Sequence, residues 1–65
     1  MHNFGTYHKL SAEEFKSLRH SLKISQRELG EILGLSRNTI WRAETFGPSH
    51  NTVLRVEKAQ LEKKL

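Results

Sequence analysis

Apolar positions recur at intervals of three and four along most of the chain, and no stretch alternates apolar with polar as a half-buried strand would. Phe15, Leu18 and Leu22 form the first stripe, which predicts a helix over about residues 12–21. Ser11 and Glu14 have the spacing of a capping box, in which each side chain satisfies a backbone N–H at the helix start. Ser25 and Glu28 repeat that signature and open a short second helix with Leu29, Ile32 and Leu33 inward. Gly34 is placed to end it in a left-handed conformation. Ser36 can cap a third helix, Arg37 to about Thr45, with Ile40 and Ala43 inward. Gly47-Pro48 stops it, because proline cannot continue a helix and biases its predecessor toward extended geometry. Ser49 or Asn51 starts a fourth helix that meets no breaker through Leu65 and carries Val53, Leu54, Val56, Ala59 and Leu61 on its apolar side. Residues 1–10 have no helical period and contain Gly5. They read as an N-terminal arm, with Phe4, Tyr7 and Leu10 as anchors, ahead of a helical domain over residues 11–65.

Composition sharpens this picture. Sixty-five residues are expected to form one small domain, which buries only about 60 % of its unfolded surface. With no cysteine there is neither a disulfide framework nor a Cys-based zinc site, so dimerisation or a large partner is the remaining route to added stability. No apolar run approaches the roughly 18 residues of a membrane span, and no signal-peptide core is evident; a soluble, cytoplasmic domain is expected. Eleven Lys and Arg face seven Glu and no Asp, a net charge of +4. That balance favours a polyanionic partner, nucleic acid or an anionic membrane, although an ordinary basic surface would produce it too. Glu57 and Glu62 interrupt the last helix too often for it to lie on a membrane.

The most specific feature is the pair of short helices joined by Gly34-Leu35-Ser36. Helices separated by so few residues, with glycine in the turn, must cross steeply, which makes this a helix-turn-helix. Gly30 lies one turn before Gly34, on the side where the next helix would cross. Its helix-propensity cost of about 1 kcal/mol against alanine points to close backbone packing there. The expected fold is all-α: a compact bundle of four, at most five, short helices around this central unit.

The segment from about Leu18 to Leu54 resembles the Cro/CI (XRE-type) helix-turn-helix family of phage and bacterial regulators. The likeness rests on Leu18-Arg19, the run from Ser25-Gln26 through Leu29-Gly30 to Leu33-Gly34-Leu35-Ser36-Arg37-Asn38-Thr39-Ile40, and Arg42, Glu44, Gly47 and Pro48. The resemblance implies a DNA-binding unit in which Arg19 and Glu44 form a buried pair joining the first and third helices. The chain departs from the family at Gly30, where alanine is usual, and at Ala43, where a larger apolar residue is usual. The loop between the third and fourth helices is short, and one continuous helix stands where the family usually has two.

On the third helix, Ile40, Ala43 and Glu44 fall on one side and Asn38, Trp41, Arg42 and Thr45 on the other, with Arg37 at the edge. Arginine can donate two hydrogen bonds to guanine, and asparagine can pair with adenine. The family likeness places Arg37, Asn38 and Arg42 at positions that commonly touch bases, and Trp41 joins them on this face. Trp41 has three readings: contact with thymine methyls or a sugar, packing over the start of the second helix, or an interface with another subunit. Gln26 and Arg27 occupy the first turn of the second helix, where free N–H groups and the helix dipole favour a phosphate. Thr39, Arg37 and a residue in the 46–51 loop can add phosphate contacts, as can Ser36, although Ser36, like Ser25, reads first as a cap.

Leu54, Leu61 and Leu65 are expected at a homodimer interface, since the resemblance implies two half-sites about one helical turn apart, which require a two-fold. The expected function is a sequence-specific double-stranded DNA-binding regulator, and the family resemblance implies a repressor of its own operon acting on an inverted repeat. The competing reading is an antitoxin or partner-binding module for a neighbouring gene's product, with DNA binding secondary. Enzyme activity is not expected. His2, His8, His20 and His50 lack metal-ligand spacing, a Ser–His–Asp set cannot be assembled without Asp, and no glycine-rich phosphate loop is present. No cofactor or metal is implied.

Overall fold

The computed structural model describes residues 10–65, so the expected arm, with Phe4, Tyr7, His2 and His8, lies outside the described residues apart from Leu10. The fold is all-α. Four helices follow one another: α1 (Ala12–Leu22), α2 (Gln26–Leu33), α3 (Arg37–Phe46) and α4 (His50–Leu61).

Every helix starts on a serine whose hydroxyl accepts a backbone N–H from three residues on. At α1 and α2 the box is complete. The N–H of Glu14 donates to Ser11 Oγ at 3.0 Å and the N–H of Ser11 to Glu14 Oε1 at 2.9 Å. Ser25 and Glu28 repeat the exchange at 3.0 and 2.8 Å. Ser49, rather than Asn51, caps α4. Such caps satisfy donors that an isolated helix leaves to water, at about 1 kcal/mol each.

The turn between α2 and α3 closes on one carbonyl. Gly34 takes the left-handed conformation (φ +73°), and both its N–H and that of Leu35 are directed at the carbonyl of Gly30, the latter at 2.7 Å. A Cβ built on Gly30 would stand 2.6 Å from the carbonyl oxygen of Leu35. The missing side chain is what lets the turn fold back so tightly, in line with the close packing expected there.

Phe15, Leu29 and Ile40, one from each of α1 to α3, are fully buried and form the centre of the core. Leu33, Ala43, Val56 and Ala59 complete it, with Leu18, Ile24, Ile32 and Leu35 packed against its edge. Consequently α3 rests on both α1 and α2, while α4 closes the bundle against α2. The guanidinium of Arg55 on α4 donates to the carbonyl of Leu33 at 3.2 Å, placing a cation at the α2 C-terminus, where the helix dipole favours one.

Two expectations for the fourth helix are corrected. It ends at Leu61, not Leu65. Lys63 turns left-handed (φ 59°), and the N–H of Lys64 reaches back to Ala59 O at 2.8 Å, a closure that folds Leu65 onto the core. The buried stripe is Thr52, Val53, Val56 and Ala59; Leu54 and Leu61 are 46 % and 84 % exposed. They lie roughly 140–160° around the helix from Val56, so they cannot share its face. Thr52 is buried through a hydroxyl contact of 3.1 Å with Ser49 Oγ. No helix of the described residues is long and apolar enough to cross a membrane.

Candidate nucleic-acid interface

The inward side of α3 is pinned by a single carboxylate. Glu44 accepts from Arg19 Nε (2.6 Å to Oε2), Arg19 Nη2 (3.2 Å to Oε1) and Gln26 Nε2 (3.2 Å to Oε1). Arg19 also donates to the carbonyl of Ile24 at 2.9 Å. One cluster therefore joins α1, the α1–α2 turn, the first turn of α2 and α3. The Glu44 side chain is only 4 % exposed and that of Arg19 14 %. Burial works against the ionised carboxylate, but hydrogen bonds from Arg19 and Gln26 and the charges of Arg19 and Lys16 outweigh it and hold the pKa below the usual 4.5.

With Ile40, Ala43 and Glu44 turned inward, Arg37, Asn38, Trp41, Arg42 and Thr45 are left exposed on the opposite side. No carboxylate shares that outward face of α3. The helix stands as a ridge between two shallow grooves. One, of about 310 Å³, is lined by Gln26, Arg37, Asn38 and Trp41. The other, of about 340 Å³, lies toward α4 and is lined by Asn38, Thr39, Arg42, Phe46, Ser49 and Thr52 among others. A third recess gathers Arg19, Arg27 and Arg37 around Ser25 and Gln26. Arg37 lines the first of these grooves and Arg42 the second.

The residues expected to meet phosphates are distributed unevenly. Arg27 is exposed, with a loose surface pairing to Glu31 at 3.6 Å. Gln26 has its carboxamide drawn inward to Glu44, leaving its backbone at the start of α2. Ser36 acts as the α3 cap, receiving the Thr39 N–H at 3.1 Å, and the two hydroxyls lie 2.9 Å apart. The trio Leu54, Leu61 and Leu65 is not brought onto one surface, because Leu65 packs on its own core. Among the described residues no group of three His, Cys, Asp or Glu side chains could hold a metal ion.

Phe46 is the residue that sequence reasoning passed over. It is 74 % exposed and meets Trp41 edge to face, ring centroids 6.0 Å apart at 86°. Its signal was present in the helical period: it lies about 140° from Trp41, still within the outward arc, but at the last position before Gly47-Pro48.

The chain is 36 % identical over 55 residues to a protein of Methanospirillum hungatei JF-1 named "Putative HTH-type transcriptional regulatory protein". The match covers 83 % of this chain and 18 % of the relative, so the chain spans less than a fifth of that protein's length. No protein-family profile matches the chain, and no solved structure matches it.

Proposed function

We propose that the chain is a sequence-specific double-stranded DNA-binding transcriptional regulator with α3 in the major groove. The observation that carries this reading is the outward face of α3: Arg37, Asn38 and Arg42 stand exposed with no carboxylate among them, on a helix held by the Arg19–Glu44–Gln26 cluster. Arg37, Asn38, Arg42 and Trp41 meet base edges. Arg27, the first-turn backbone of α2 at Gln26, and Thr39 and Ser36 meet phosphates. The likeness to a protein named as an HTH-type regulator supports the same class.

Regulation is repression by occupancy of an inverted repeat, by a cytoplasmic homodimer, and includes the chain's own operon. A lone helix-turn-helix offers little surface for tight specific binding at physiological salt, which argues for two copies on one site. Leu54 and Leu61, exposed on α4, are the contacts we assign to the second copy; Leu65 is not. The same exposed leucines favour the second reading, a module that docks on a protein from a neighbouring gene.

Selection from a random duplex library at physiological salt tests the proposal, because low salt rewards any basic chain. Enrichment of an inverted repeat with half-sites about one turn apart is expected. Failure of a folded sample to enrich any sequence would transfer the assignment to the protein-docking module.

A further inference from the structure

Trp41 and Phe46 are costly residues to leave in water, and neither is there to complete the core. They are 48 % and 74 % exposed, and the core closes without them. Among the described residues no hydrogen bond engages the indole N–H of Trp41. Yet their relative placement is defined, with the two rings edge to face at 6.0 Å. Such contacts orient aromatic rings at some energetic gain beyond area alone. The pair forms a small apolar ledge along the outward side of α3. Five residues of helix rise about 7.5 Å, the height of about two base-pair steps.

The surroundings of this ledge decide what covers it. Arg37 and Arg42 flank it with Asn38 between them, while Glu44 is turned inward and paired. A polyanion with apolar points on its edge fits that pattern better than a neutral apolar partner. In the major groove the only apolar mark on a base edge is the 5-methyl group of thymine. Arginine and asparagine can read guanine and adenine, but neither recognises a methyl.

Resting on the DNA-binding reading above, we propose that Trp41 and Phe46 act together as a thymine reader. The ledge packs on the 5-methyl group of one or two thymines beside the bases met by Asn38 and Arg42. Trp41 makes the contact, and Phe46 sets the angle of its ring.

The test uses the duplex enriched by the full chain, with its thymines replaced one at a time by deoxyuridine, which lacks only the methyl. At one or two positions the parent's affinity should fall about fourfold, the loss expected for one buried methyl-sized group. Trp41→Ala, checked for unchanged helical circular dichroism, should bind more weakly and no longer distinguish thymine from uracil. Phe46→Ala should keep binding but bring the thymine-to-uracil ratio toward one. Equal affinity of the parent for both bases at every position overturns the thymine reader and leaves the DNA-binding reading standing. If no duplex is bound, both fall. A blue shift of Trp41 emission with protein concentration alone would instead assign the ledge to a second copy of the chain.

Discussion

Arg19 and Glu44, 25 positions apart in sequence, meet through two parallel contacts, Nε to Oε2 at 2.6 Å and Nη2 to Oε1 at 3.2 Å. The geometry is the two-pronged arrangement in which a guanidinium holds a carboxylate most specifically. Because Gln26 and the carbonyl of Ile24 join the same cluster, the pair defines how α3 sits on α1 and α2. Its influence on the outward face comes through that seating rather than through charge at the surface.

Removing one partner should cost far more than the pair itself contributes. Arg19→Met leaves Glu44 buried without its main donor, which should destabilise the domain by about 3 kcal/mol or more. A chain of this size holds only several kcal/mol in all. Arg19→Met combined with Glu44→Leu should recover much of the loss, since a buried pair exchanged for apolar side chains is often neutral. Urea midpoints of the single and double variants check this. A double variant as unstable as the sum of the singles would mean the pair is not coupled.

Acid should weaken the fold through the same carboxylate. The pKa of Glu44 lies lower in the folded than in the unfolded chain, so the unfolded state takes up its proton first. The stabilisation is complete above about pH 4.5 and is lost as the pH falls through the folded value. Glu44→Gln should be less stable at pH 7 and show a flatter stability profile below pH 4.5. Thermal melts between pH 3 and 7 measure the difference.

Gly30 should tolerate no branched side chain. A Cβ there already meets Leu35 O at 2.6 Å, and that oxygen belongs to the backbone. Gly30→Val should force the turn open and cost about 1–3 kcal/mol, as overpacking does. It should also weaken duplex binding beyond the fraction unfolded, because α3 would leave its seat. Calorimetry and duplex titration of one preparation separate the two effects.

Lys23 offers a gain. It closes α1 in the left-handed region at φ 58° with an exposed side chain. A Cβ costs roughly 1–2 kcal/mol there and glycine avoids it. Lys23→Gly should therefore raise the melting temperature without changing duplex affinity at fixed salt. A lower melting temperature would show that the lysine stem contributes packing.

On DNA, Arg42 and Arg27 should behave differently. Arg42→Ala should lose about 1–3 kcal/mol on the selected site and relax one base preference. Arg27→Ala should weaken all duplexes about equally and lower the salt slope by about one. Competition titrations at several salt concentrations read both.

The helices and the turn were legible because local chemistry announces them. Ser11 with Glu14, Ser25 with Glu28, and Gly34 each act within one turn of chain, and the structure uses them as the spacing implies. What escaped depends on distant partners. No glycine or proline follows Pro48, so nothing local marks the stop after Leu61. The stop arises where Lys63 bends and Leu65 packs on the core. No apolar period marks polar Thr52 as a core position, although its hydroxyl is satisfied within its own cap. Val53 and Leu54 both read as the apolar side of the fourth helix, and the helix rotation that buries Val53 leaves Leu54 exposed. At Phe46 the sequence signals a helix end, ahead of Gly47-Pro48, rather than a surface. The side chains of the outward face of α3 were readable as types at helical spacing.

The cluster at Glu44 bears on transplantation. A fragment holding only α2, its turn and α3 would keep Gln26 and Glu44 but lose Arg19, and with it the guanidinium that completes the seat. Helix α3 is therefore not a cartridge that can be moved with its neighbouring helix alone. A chimera would need an arginine supplied from the host scaffold at the place α1 now provides it. By the same dependence, partial unfolding of α1 would unseat α3 before α3 itself melted.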